Sequence, residues 1–179
     1  MYKKIILFIF IMIPSLGFSF FGHDDDLTGW VGYDQQFGVL NDKFITYGGA
    51  SAGVSIFGIS LGAAVYGNYG HNVYISSLPP MSATMIYGGV IVGYKSPEIE
   101  FVRFRLNTLL GYGTVELGAH KTGHFVVSPT FYVDFEVFDQ VNLSVGVTYR
   151  YFHEVDNTIG LNKAENSFAG SISFSWIDD

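Results

Sequence analysis

Hydrophobic residues recur at every second position through most of this chain. From Ile59 one parity reads Ile59, Leu61, Ala63, Val65 and the other Ser60, Gly62, Ala64, Tyr66; from Thr84 the parities read Thr84, Ile86, Gly88, Val90, Val92, Tyr94 and Met85, Tyr87, Gly89, Ile91, Gly93. A period of two sends alternate side chains to opposite faces of a strand, so each segment predicts a strand with one lipid-compatible face and one small or mixed face. Between Ile99 and Tyr112 the apolar face carries Val102, Phe104, Leu106, Leu110 and Tyr112, leaving Arg103, Arg105 and Asn107 opposite. Between Phe125 and Val137 it carries Phe125, Val127, Phe131, Val133, Phe135 and Val137, leaving Thr130, Tyr132, Asp134 and Glu136. The next strand turns Val141, Leu143, Val145, Val147, Tyr149 and Tyr151 one way and Asn142, Ser144, Thr148 and Arg150 the other. The last divides Phe168, Ile172, Phe174 and Trp176 from Ser171, Ser173 and Ser175. Two earlier strands, 28–40 and 43–56, bring the number to about eight, each long enough to cross a bilayer at a tilt. The first is the least regular, because Gln35 interrupts its apolar side.

The links between these segments alternate in length. Phe57-Gly58, Lys95-Ser96-Pro97-Glu98 and Phe138-Asp139-Gln140 are short, whereas 70–83, 113–124 and 153–166 are expected as long loops; Leu40-Asn41-Asp42 is brief. Tight periplasmic turns and longer outer loops produce such an alternation, and an even strand number would leave both termini in the periplasm.

Composition sharpens the reading. The chain is 49% hydrophobic and 17% aromatic, yet beyond its first residues no apolar run reaches the length of a membrane-spanning helix. An oily chain without such a helix satisfies its backbone polar groups in lipid only as a closed barrel. A water-soluble barrel of lipocalin type would place charges outside. Here Arg103, Arg105, Asp134, Glu136 and Arg150 share a face with Ser, Thr and Gly, while bulky apolar residues take the other. Trp30, Trp176, Tyr94, Tyr112 and Tyr151 fall near strand ends, where aromatic girdles are expected.

The first residues are Lys3-Lys4, an apolar run from Ile5 to Ile13, and Pro14-Ser15-Leu16-Gly17-Phe18-Ser19, the layout of a secretory signal with cleavage expected after Ser19. Residues 1–19 are thus expected as a cleavable signal peptide and 20–179 as one barrel domain. The chain has no cysteine, which excludes a disulfide framework and a lipid-anchored cysteine. Without Lys3 and Lys4 the formal net charge goes from −7 to −9, a poor match to nucleic acid.

From residue 20 onward the chain resembles the small outer-membrane barrels of the OmpA transmembrane-domain, OmpX and OmpW kind. The stretch from Tyr87-Gly88-Gly89 through Leu110-Gly111-Tyr112-Gly113 and Gly146-Val147-Thr148-Tyr149-Arg150 to Ser171-Ile172-Ser173-Phe174-Ser175-Trp176 also resembles uncharacterised bacterial outer-membrane barrels. The resemblance implies a bacterial outer-membrane location, outer-membrane lipid and lipopolysaccharide as surroundings, a possible ligand of the outer loops, and a final aromatic residue read by the barrel assembly machinery. Trp176 is the aromatic in question, followed by Ile177-Asp178-Asp179.

Five charges are candidates for a lumen ion network: Arg103, Arg105, Asp134, Glu136 and Arg150. Enclosed charges are costly unless paired, and adjacent strands supply partners, so a structural network is favoured over transport or catalysis. Eight strands leave too narrow an interior for a general porin, although a narrow small-solute channel stays open as a reading. His153, near Glu154, Asp156 and Asn157, lies in a neighbourhood that resembles the lipid A deacylase barrels, whose hydrolytic triad joins a His, a Ser and an acid. Here Val155 stands where that serine is expected, leaving Ser167 and Glu165 as substitutes. His120 and His124, and His23 before Asp24-Asp25-Asp26, are expected as solvated surface side chains rather than metal ligands. No cofactor is implied. The leading expectation is a non-enzymatic envelope protein with a structural or surface-interaction role; a hydrolase centred on His153 and a narrow channel are the alternatives.

Overall fold

A computed structural model describes residues 27–40, 43–68, 83–97, 99, 101–117, 120–154 and 165–178. The expected signal peptide, the His23 to Asp26 segment, the loop 70–82 and residues 155–164 lie outside them. Eight strands follow one another: β1 (Leu27–Leu40), β2 (Lys43–Ile56), β3 (Ile59–Asn68), β4 (Ala83–Lys95), β5 (Val102–Leu117), β6 (His120–Phe138), β7 (Val141–Glu154) and β8 (Glu165–Asp178). Each pairs antiparallel with its neighbours in sequence, and β8 returns to β1, closing the sheet.

The register fixes the shape. Stepping between paired residues once around the wall runs Thr28, Ser55, Ser60, Gly93, Asn107, Thr130, Thr148, Ala169 and back to β1 at Gly38, ten residues beyond the start. Such an offset forces the strands to lean from the axis, typically by about 35–45°, and leaves eight strands an interior that side chains fill.

The wall is inside out relative to a water-soluble barrel. Phe104, Leu106, Leu110 and Tyr112 of β5, Phe125 and Phe131 of β6, and Phe168, Phe174 and Trp176 of β8 are exposed, while Ser171, Ser173 and Ser175 beside them on β8 are buried. Outward pairs pack across strands, as Phe104 does with Phe131 and Tyr112 with Phe125, at ring separations of 6.1 and 5.5 Å. Gln35, the polar interruption on β1, donates from Nε2 to the Tyr47 carbonyl and accepts from the Tyr33 hydroxyl, so its amide is satisfied on the outer wall.

Three expectations change. Residues 113–117 and 120–124 do not form a loop; they prolong β5 and β6, which stay paired up to Leu117 and His120. Above the Tyr112–Phe125 pair the outward residues turn polar, ending in a 2.7 Å ion pair between the Lys121 Nζ and Glu116. The apolar alternation therefore stops although the strands do not. Trp30 does not join an outer girdle: it is buried in the lumen, on the same face as Asp34 and Gln36. Its indole lies against Gly53 and Gly62, where a Cβ would come within 2.7 and 2.8 Å of the ring. Finally, the β4–β5 link runs past Pro97, with Ile99 bridging Val102 before β5 begins.

Candidate functional site: the filled lumen

The termini and the turns after β2, β4 and β6 share one end of the barrel, called here the termini end; the links after β1, β3, β5 and β7 share the far end. Near the termini end, Arg105 on β5 faces Asp134 on β6. The guanidinium donates twice to the carboxylate, Nε to Oδ2 at 2.9 Å and Nη2 to Oδ1 at 3.0 Å, and Nη2 also donates to Ser144 Oγ at 3.0 Å. Its plane lies 4.3 Å from the centre of the Tyr132 ring. With its amide turned to suit its surroundings, Asn107 accepts from Nη1 at 3.1 Å. Asp134 is only 3% exposed, and a two-pronged pair is the geometry that best repays the desolvation of both ions.

Midway up the lumen, hydroxyls join the strands directly. Thr130 and Thr148 lie 2.9 Å apart and Thr148 and Ser171 2.7 Å apart, linking β6, β7 and β8; Ser55 and Ser60, 2.7 Å apart, link β2 and β3 lower down. Small hydroxyl residues suit this layer because they fill little of a narrow interior and satisfy one another. Asp34 of β1 shares the layer with Tyr66 and Tyr132 and accepts a 2.6 Å hydrogen bond from Gln36 Nε2.

Towards the far end, Arg150 of β7 is wholly enclosed, with 0% of it exposed. Nη2 donates past the intervening β8 to Gln36 Oε1 on β1, and Nη1 donates to Ser167 Oγ at 3.3 Å. The guanidinium carbon lies 4.3 Å from the centre of the Tyr47 ring, with the Tyr87 and Phe152 rings at 5.5 and 5.8 Å. Aromatic faces carry negative charge density, and in a desolvated site they attract a cation. Gln36 thus bridges Arg150 to Asp34: one amide accepts from the cation and donates to the anion. Tyr47 in turn donates to Met85 Sδ at 3.4 Å.

The five charges expected on the inner face are distributed over three levels. Arg105 and Asp134 form the close pair, while Arg103 and Glu136 sit at the termini-end mouth, 3.9 Å apart and partly exposed. Arg150 is separate from both, held by an amide, a hydroxyl and aromatic rings instead of a carboxylate. Alternation sets Asp34, Gln36, Tyr66, Tyr87 and Tyr132 apart from the lipid-compatible face, but neither they nor Tyr47 were expected in the ion network. Their signal was large polar side chains on a face rich in Gly, Ala and Ser.

His153 and Ser167 are not brought together. His153 is exposed on the outer wall, stacked on Tyr151 at 6.4 Å, whereas Ser167 is buried inside and engaged by Arg150. Glu165 starts β8 opposite Phe152. His120 opens β6, and His124 corrects the expectation of a solvated surface histidine: it is 3% exposed inside the lumen, edge-on to Phe152 at 5.1 Å. Gly113 makes room for it, since a Cβ there would come 2.8 Å from His124 Nε2.

Among the described residues, a small cavity of about 20 Å³ lies on the termini-end side of the Arg105–Asp134 pair, bordered also by Trp30, and another of about 20 Å³ lies above it, bordered by Asp34, Tyr66 and Tyr132. Each has room for about one water molecule.

No protein-family model matches the chain, and the comparison with curated proteins likewise found no match. Solved structures do match. Neisserial surface protein A superposes with a TM-score of 0.59 at 15% identity, over 84% of this chain and 96% of that one. Ail, the attachment invasion locus protein of Yersinia pestis, gives 0.52 at 10% identity over 86% and 99%. The N-terminal β-barrel domain of Pseudomonas aeruginosa OprF gives 0.50 at 11% identity over 83% and 99%. The fold is that of the small outer-membrane barrels. A further structure of Ail holds the heparin analogue sucrose octasulfate.

Proposed function

We propose that this chain is an integral protein of the bacterial outer membrane whose barrel serves as a closed structural platform, with contacts to other surfaces made from its far end. One observation carries the reading: bulky apolar side chains clothe the outside of the wall while Asp34, Arg105, Asp134 and Arg150 are enclosed within it. That distribution is stable in lipid and costly in water, where so much contiguous exposed apolar surface would drive association.

Three further elements belong to the same reading. Residues 1–19 direct export and are removed; the short turns and both termini face the periplasm; and the chain is inserted by the barrel assembly machinery, with β8 and its outward Trp176 as the recognised strand. Lipid and lipopolysaccharide then surround the wall. The side-chain-filled lumen supports a structural role over passage of solutes. A surface ligand, by analogy with Ail and its sulfated sugar, would meet the links at the far end, because barrel walls are structural and loops carry contacts.

Heat modifiability tests the reading. Protein purified in mild detergent is run on a gel with and without boiling, alongside circular dichroism. A boiling-sensitive mobility with a β-rich spectrum is expected; a chain that stays folded and monodisperse without detergent would overturn the membrane assignment.

A further inference from the structure

The termini end and the β5–β6 hairpin at the far end differ in what they present outward. At the far end of β5 and β6 the outer wall passes from Tyr112 and Phe125 to Thr114 and Gly123 and then to the Glu116–Lys121 ion pair. At the termini end there is no such polar shoulder among the described residues. Each of the three connections there carries an exposed phenylalanine instead: Phe57 after β2 (75% exposed), Phe101 after β4 (59%) and Phe138 at the end of β6 (70%). Ile99 is exposed beside Phe101, and outward residues adjoining the turns, including Ile56, Ile59, Tyr94, Val137 and Trp176, continue the apolar wall without a break.

Phe57 adds a backbone argument. It and Gly58 form a two-residue hairpin link with φ of 51° and 82°. Positive φ at both central positions marks the tight turn whose first place favours Asn, Asp or Gly, and a bulky residue there is strained. A strained position that nevertheless carries an exposed phenylalanine points to a use for the ring. Polar groups sit at the same level: Lys95 closes β4, and Asp139 and Gln140 follow Phe138. The mixture suits the boundary between lipid headgroups and acyl chains, which takes aromatic rings and charged side chains together, better than the hydrocarbon core.

We infer that the Phe57, Phe101 and Phe138 turns are seated in the phospholipid interface of the inner leaflet, so that the membrane boundary runs through the turns at this end and well below the end of the β5–β6 hairpin at the other. The inference rests on the membrane reading above and adds where the bilayer stops. Three anchors spaced around the rim fix the depth and tilt of the barrel, leaving the β5–β6 hairpin standing clear of lipid at the far end.

The absence of cysteine makes the test direct. Phe57→Cys, Phe101→Cys and Phe138→Cys are each made singly, leaving two anchors intact, and labelled with a nitroxide. The reference sites are Val90→Cys on the outer wall and Lys121→Cys on the far-end hairpin. In phosphatidylcholine vesicles, using only the boiling-sensitive folded fraction, collision of each label with oxygen is compared with collision with a water-soluble nickel chelate. The turn labels are expected to be several-fold less accessible to nickel than the Lys121 label, at a depth between it and the Val90 label. Turn labels as open to nickel as the Lys121 label, with the Val90 label still in lipid, would overturn the inference and leave the membrane reading standing. Turn labels shielded from both reagents would also overturn it, in favour of a protein or a second copy covering the turns. A Val90 label open to nickel would overturn both.

Discussion

At the residue scale, the energetics centre on ions enclosed where water is scarce. Arg105 and Asp134 lose hydration and recover it through two charge-assisted hydrogen bonds, a third bond to Ser144 and the face of Tyr132. The value of such a pair lies less in its presence than in the cost of breaking it. Arg105→Met, which leaves the Asp134 carboxylate uncompensated, is expected to lower stability by about 3–5 kcal/mol. Urea titration in vesicles, read by loss of the boiling-sensitive gel band, measures this. The double variant Arg105→Met, Asp134→Leu should recover much of the loss, because neither charge then needs a partner. A double variant at least as unstable as Arg105→Met alone would show that packing of the arginine stem, not charge, matters at this level. The close pair could be anticipated from sequence, since Asp134 lies opposite Arg103 in register and one step from Arg105 on adjacent strands. The partners of Arg150 could not: Gln36 is 114 residues away and reaches it only because closure of the sheet sets β1 and β7 on either side of β8.

At the element scale, what was legible was the side of the wall each residue takes, and what was lost was where strands end. Period-two alternation survives wherever one face meets lipid and the other a packed interior. On β5 and β6 the outer face becomes Thr114, Glu116, Lys121 and Gly123 once it rises past Tyr112 and Phe125, so polar residues stand on both faces and the pattern resembles a loop. Trp30 was misassigned for a related reason: tryptophan near a strand end is typical of a membrane girdle, and only the space left by Gly53 and Gly62 reveals an inward seat. The extended hairpin has a protease signature. Lys121 is exposed but held in register opposite Glu116, and a paired strand must open locally before a protease can bind it. Trypsin added to the folded barrel is therefore expected to spare the bond after Lys121, and to cut it once the sample has been boiled. Mass spectrometry identifies the fragments. Rapid cleavage there in the folded state would restore the long loop that the sequence pattern favoured.

At the scale of the whole molecule, the levels of the lumen act in series. A solute crossing it meets the Arg105–Asp134 pair and, farther on, Arg150 with Tyr47, Tyr87 and Phe152 around it. The cavity between them, about 20 Å³ and bordered by Asp34, Tyr66 and Tyr132, is far from a continuous path, as an eight-stranded interior leads one to expect. Two obstructions in series mean that removing either one alone leaves the other to block passage. Arg105→Ala and Arg150→Ala, each made singly, should thus behave like the parent in planar bilayers and give no steady ion current. The double variant should conduct, and the sign of its selectivity is fixed by what remains: Asp34 and Asp134 face the lumen without Arg105 and Arg150, and Arg103 is offset by Glu136, so carboxylates are in excess and the pathway should pass cations in preference to anions. A parent barrel that conducts steadily would show that the side chains yield a channel as they stand. An anion-selective double variant would show that the carboxylates are neutral or turned away, against the excess of negative charge that removing both arginines leaves.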